Sequence, residues 1–138
     1  MKIAFVTWEK SPKKGILEEI ETDFRENIST SKKCDKYDVA EKEFLNMSEN
    51  ESLDALSKYI LIKNRNNSDV IIFSTREIHF LAIRILVKTG LLKPDDVLIY
   101  YINEHGVLSV PEIDKDGRLD IWPDGLFQLH INMLSNLL

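Results

Sequence analysis

Cysteine is nearly absent from this chain. The single Cys34 excludes an intramolecular disulfide and any cysteine-cluster zinc site, and it points to a reducing compartment. Histidine is almost as scarce, and His79, His105 and His130 are too scattered to form a ligand motif. Long apolar runs are missing too: no window reaches the 18 apolar residues that a membrane span needs. The N-terminus opens with one lysine and a short apolar strand pattern, without the longer apolar core and small-residue cleavage site of a signal peptide. Basic residues are outnumbered, 18 Lys and Arg against 23 Asp and Glu, and the net charge of -5 argues against a general basic footprint for nucleic acid. These absences predict a cytoplasmic domain with no membrane partner, reaching nucleic acid only through another protein.

Glycine is sparse as well, and its placement excludes chemistry. A phosphate-binding loop needs GxxxxGK followed by Ser or Thr, so that backbone amides and the lysine cradle the phosphates. No pair among Gly15, Gly90, Gly106, Gly117 and Gly125 supplies it. SPKKGI follows a strand pattern and is rich in lysine, but it lacks the first glycine and the hydroxyl. GxGxxG is absent also. Autonomous nucleotide hydrolysis is not expected, nor is a cofactor, and 138 residues are short for a complete motor ATPase.

What is present is enough for a core. With 43% hydrophobic and 30% charged residues, one domain should bury roughly two-thirds of its unfolded surface. Lys2 to Trp8 reads as a buried strand, and Pro12 and Gly15 break the chain after it. Ile16, Leu17, Ile20, Phe24 and Ile28 recur at helical spacing, with Glu18, Glu19, Glu21 and Asp23 placed toward the helix start. Residues 29 to 38 read as a polar loop, followed by a short helix carrying Val39, Ala40, Phe44 and Met47. A second clear helix is predicted from about Leu53 to Lys63, with Ser52 as N-cap.

The second half has stronger patterns. Val70 to Ser74 is an uninterrupted apolar strand, of the kind found in parallel sheets covered on both faces. A helix from Glu77 to Lys88 ends at Thr89 and Gly90, and Val97 to Ile102 is another strand. A turn at His105 and Gly106 leads into a strand from Val107 to Ile113. Asp114 to Gly117 then turns into a short strand from Arg118 to Ile121, and a Trp-Pro-Asp-Gly turn precedes a closing helix. The whole predicts one α/β domain over residues 1–138: a sandwich with a mixed, partly parallel sheet and a C-terminal hairpin-like extension.

Candidate chemistry is thin. Glu112 to Asp120 imitates part of a calcium loop, but its twelfth position falls on Pro123, which supplies no carboxylate. Glu9, at the end of the first strand, could join Asp114 and Asp116 in a magnesium site of the nuclease kind. A solvated strand end and an acidic turn explain the same residues without metal. His79 reads as a packed or surface histidine. Ser74 and Thr75 end a strand without the strained G-x-S-x-G turn of a nucleophile. Cys34 lies in KKCDK, where lysines would lower its pKa. Arg25, Lys32, Lys33, Lys36 and Lys42 are the densest basic region, yet acids are interleaved throughout. Arg84 interrupts an apolar helix, and it either pairs at an edge or faces a partner.

One longer stretch carries a resemblance. VIIFSTREIHFLAIRILVKTGLLKPDDVLIYYI, followed by VPEIDKDGRLDIWPDGLF, resembles the C-terminal end of bacterial AAA-family ATPases with ABC/SMC-like heads, related to the overcoming-lysogenization-defect and RecF groups. In those proteins an apolar strand ends in a Thr-His-Ser switch. A long helix, a Gly-x-x-x-Pro-x-Asp-Val segment, an Ile-Asp-x-x-Gly turn and a Trp-Pro-x-Gly-Phe-Phe ending follow. The matching residues are Thr75, Arg84, Gly90, Pro94, Asp96, Val97, Tyr100, Ile113, Asp114, Gly117, Leu119, Trp122, Pro123, Gly125 and Phe127. Arg76 stands where the switch histidine belongs, and both Walker motifs are missing.

The resemblance therefore implies the back half of an ATPase head kept without its engine. It implies a non-catalytic accessory or regulatory protein, assembling with itself or with a larger ATPase or nuclease, with antiphage defence as one setting and a decayed remnant as another. The candidate interaction residues are Arg76, Arg84, Trp122, Pro123, Asp124 and Phe127, against local packing of the turn onto the sheet. Two alternatives stand beside this reading. One is a metal-dependent nuclease or nucleotide-acting enzyme using Glu9, Asp114 and Asp116. The other is a nucleotide sensor acting through Arg76 in a complex.

Overall fold

Strand β1 (Ile3–Trp8) carries apolar side chains on both faces, and Ile3 to Val6 are all fully buried. Such a strand has to lie inside a sheet with helices above and below it. A computed structural model, which describes residues 1–28, 33–38 and 48–127, shows that arrangement. It consists of β1, α1 (Lys14–Asp23), β2 (Cys34–Asp38), α2 (Glu49–Arg65), β3 (Asp69–Phe73), α3 (Glu77–Lys88), β4 (Val97–Ile102) and β5 (Leu108–Ser109). The sheet order is β2-β3-β1-β4-β5. The first four strands are parallel, and β5 returns antiparallel to β4. This is a single α/β domain with a mixed, partly parallel sheet and a hairpin-like extension, as the patterns predict.

Strand alternation divides the core in two. Ile3, Phe5, Val70, Ile72, Ile99 and Tyr101 face α2 and α3, meeting Leu56, Ile60, Phe80 and Ile83. Ala4, Val6, Ile71, Phe73, Tyr100 and Ile102 face the other way, onto Ile20 and Phe24. From β1 the chain moves toward the β2 edge, whereas from β3 it moves toward β4. Right-handed crossovers in opposite directions put α1 and α3 on opposite faces.

Several local expectations change in the fold. Residues Cys34–Asp38, expected as polar loop, form edge strand β2 in parallel register with Asp69–Phe73. Long-range pairing overrides the weak propensity of CDKYD, and Tyr37 is its buried anchor, packed on Tyr59 with ring centroids 4.5 Å apart. Ser48, rather than Ser52, caps α2: its Oγ accepts the Glu51 amide at 3.2 Å, so the helix starts a turn earlier. The first turn of α1 carries no acid, and the helix ends in a π turn, Phe24–Ile28. Of the two strands expected after Gly106, only Leu108–Ser109 pairs with β4, and a lone bridge joins Ile113 to Leu119. Pro111, with no amide to donate, ends the ladder between them. The expected helix at Val39 to Met47 and the closing helix lie outside the described residues.

One glycine fixes how the extension meets α3. Gly117 has φ +75°, and a Cβ there would lie 2.6 Å from the Arg84 carbonyl oxygen. Gly117→Ala should therefore lower unfolding free energy by about 2 kcal/mol. Gly15→Ala, where nothing stands within 4 Å of the new methyl, should be neutral or slightly stabilising. Urea denaturation followed by circular dichroism measures both.

Candidate functional site at the carboxyl edge of the sheet

Parallel strands deliver their carboxyl ends to one edge, and an open α/β sheet takes ligands where neighbouring connections diverge. Here that point lies between β1 and β3. Its residues are Trp8 and Glu9 on one side, and Ser74, Thr75 and Arg76 on the other.

On the β3 side, the chain ties itself shut. Ser74 Oγ lies 2.7 Å from His79 Nδ1 and accepts the Arg76 backbone amide at 3.1 Å. His79 is fully buried, and its Nε2 has no hydrogen-bond partner among the described residues. Burial first, and the Arg76 charge second, push its pKa down to about 4, so the ring is neutral near pH 7. A serine against a histidine is the start of a nucleophile, but Ser74 is itself buried. The pair's evident work is to lock the strand end to the start of α3. Arg76 adds a second tie, Nη1 donating to Ser52 Oγ on α2 at 2.9 Å.

On the β1 side, Glu9 Oε2 accepts the Tyr101 hydroxyl at 3.2 Å. Burial, then the bond to Glu9, push the Tyr101 pKa up to about 12. Gly125 lies directly over this pair: a Cβ there would stand 2.7 Å from Tyr101 Oη and 2.8 Å from Glu9 Oε2, with φ at +89°. The Trp-Pro-Asp-Gly turn is thus seated against the end of β1.

That turn is also gripped from α3. Arg84 Nε donates to the Gly117 carbonyl at 2.7 Å. Its guanidinium lies 5.7 Å from the Phe80 ring centre and 5.5 Å from that of Trp122. Phe80 in turn meets Phe5 at 5.6 Å, Trp122 at 5.9 Å and Phe127 at 5.7 Å. The Trp122 indole donates to the Leu126 carbonyl, and Pro123 accepts the Leu126 amide. Of the six nominated interaction residues, Arg84, Trp122 and Phe127 come together as one stack built on Phe80. Arg76 stands apart at the start of α3, Pro123 is half-buried in the turn, and Asp124 is exposed at its tip.

The three carboxylates proposed for a metal do not assemble. Asp114 Oδ1 accepts the amides of Asp116 and Arg118 within its own turn, while Glu9 is held by Tyr101. Among the described residues, no group of three His, Cys, Asp or Glu side chains is placed to hold a metal ion. The acidic loop at 112–120 is likewise a turn, with Asp120 accepting the Glu112 amide. Cys34 departs from expectation: burial raises its pKa against the lowering pull of Arg25. In the basic region, Arg25 and Lys36 both reach Glu21, at 3.0 and 3.9 Å. Lys32, Lys42 and His130 lie outside the described residues.

Sequence reasoning missed the Tyr101–Glu9 contact, which spans 92 positions, and the Arg76–Ser52 tie. It also passed over the exposed apolar residues of β5. Their signal was legible in Val107-Leu108-Ser109-Val110, an apolar run with little to bury it.

Residues 92–128 match the model of a family described as a protein of unknown function, DUF3696. The matched stretch holds β4, β5 and the Trp-Pro-Asp-Gly turn. No curated protein and no solved structure shows a significant match to the chain.

Two stability measurements separate structural roles from binding roles here. His79 binds its proton less readily in the folded chain, with a pKa of about 4, than at its ordinary 6.5. The unfolded chain therefore holds more protons across that window. Stability from this group is complete above pH 6.5, falls as the pH drops toward 4, and has lost about 3 kcal/mol below it. His79→Leu should flatten the urea-midpoint profile between pH 7 and pH 4 by that amount. Arg84→Met should cost about 1–2 kcal/mol in the same assay and leave the elution volume unchanged on size exclusion. A shift in elution without a stability loss would return Arg84 to a partner-facing role.

Proposed function

We propose that this chain is a non-catalytic accessory or regulatory protein, which assembles with itself or with a larger ATPase or nuclease. The observation that carries this reading is the concentration of exposed large apolar residues in one segment. Leu108 in β5 is 44% exposed, and Val107 and Val110 beside it are 56% and 50% exposed. Scattered apolar exposure is ordinary, but a cluster on an edge strand is a mark of a docking surface. The same segment carries the family match and much of the resemblance to ATPase tails.

Part of the carboxyl edge is taken up by the chain itself: the Trp-Pro-Asp-Gly turn sits over Glu9 and Tyr101, at the ends of β1 and β4. The nucleotide-sensor alternative draws no support from Arg76, whose guanidinium is engaged with Ser52. The resemblance supplies antiphage defence as a setting. Among the described residues, no helix is long and apolar enough to cross a membrane.

Size-exclusion chromatography with light scattering, together with co-purification alongside the products of neighbouring genes, tests the role. We expect a self-assembled species or a stoichiometric complex. A strictly monomeric protein that never co-purifies with those neighbours would overturn it.

A further inference from the structure

On the α1 side of the sheet, the strip beyond β4 presents apolar residues rimmed with acid. The core on that side takes in β3, β1 and the Tyr100 and Ile102 of β4, but no residue of β5. Leu108 stands opposite Ile102 in the antiparallel register and so shares the α1-side face. Both Leu108 and Val110 are exposed. Val110 and Leu98 line a cleft of about 310 Å³, whose other walls include Pro94, Asp95 and Glu112.

Charge says what fits there. Residues 92–128 contain eight acids against three lysines and arginines, which equals the whole chain's net charge of -5. Asp96 is paired with Lys2 at 3.0 Å. Asp95 and Glu112 form no ion pair among the described residues, and both are exposed at the cleft. A second copy would bring like charge to like charge along this rim.

Resting on the assembling role above, we propose that β5 and its cleft receive an extended segment of a partner protein, alternating apolar and basic residues. Its backbone pairs with the open edge of β5. Its apolar side chains cover Leu108 and Val110, and a lysine or arginine enters the cleft between Asp95 and Glu112. The opposite edge is unsuited to this: β2 carries Asp35, Lys36 and Asp38, with Asp35 and Lys36 already in salt bridges to Lys63 and Glu21.

The test titrates the full-length ¹⁵N-labelled chain with a short peptide alternating valine and lysine, and with its glutamate counterpart. The lysine peptide should shift the amides of Leu98, Leu108 and Val110, and its affinity should fall with added salt. Asp95→Lys with Glu112→Lys should weaken it about tenfold, while circular dichroism shows the fold retained. Equal binding of the glutamate peptide, shifts confined to other elements, or indifference to the charge reversal would each overturn the proposal. So would concentration-dependent shifts of the same amides without peptide, which mark self-pairing. A complex that co-purifies equally well with the charge-reversed chain rejects this surface and leaves the assembling role standing.

Discussion

The fold depends on one constraint: β1 has no face that tolerates water. Ile3, Phe5 and their partners require α2 and α3 above, while Ala4 and Val6 require α1 below. Placing β1 between β3 and β4 satisfies both, and it makes the connections after β1 and β3 leave in opposite directions. The divergence creates the crevice at the carboxyl edge. Asp69 reinforces the arrangement from the other end: it is fully buried, and its Oδ1 accepts the Lys2 amide at 2.7 Å. A buried carboxylate with such a donor holds the register where apolar packing alone would permit a slip.

Phe80 organises the second level. Its ring meets Phe5 in the sheet, Trp122 and Phe127 in the turn, and the Arg84 guanidinium on its own helix. The turn and the extension are thereby fastened to the core. Burial lowers the pKa of Arg84, yet its contacts with two rings and the Gly117 carbonyl suit a planar, weakly hydrated cation better than they would suit lysine. Phe127, at φ +48°, occupies backbone space that bulky residues avoid; the stack on Phe80 holds it there.

How much of this was legible in the sequence follows from where each signal resides. Strands β1, β3 and β4 and helix α3 were readable because uninterrupted apolar runs and helical spacing are local properties. Strand β2 was not, because CDKYD becomes a strand only once Asp69–Phe73 lies beside it. For the site, chemical oddity was visible and its cause was not. Arg84 in an apolar helix and Trp122 in a rigid turn stood out as candidates either for local packing or for a partner's surface. Each proves to be the other's neighbour, a pairing 38 positions apart that no spacing rule encodes. The buried link between Ser74 and His79 is short in sequence. Serine and histidine at that separation have no single structural meaning without a strand ending between them.

The two edges of the sheet are chemically unlike, and that sets a valence. Alternating charges make β2 a poor template for another strand, whereas β5 ends the sheet on the opposite side with apolar residues in water. If β5 takes up a partner's strand as proposed, each copy offers one such edge, so growth by strand pairing through it would end with that single addition.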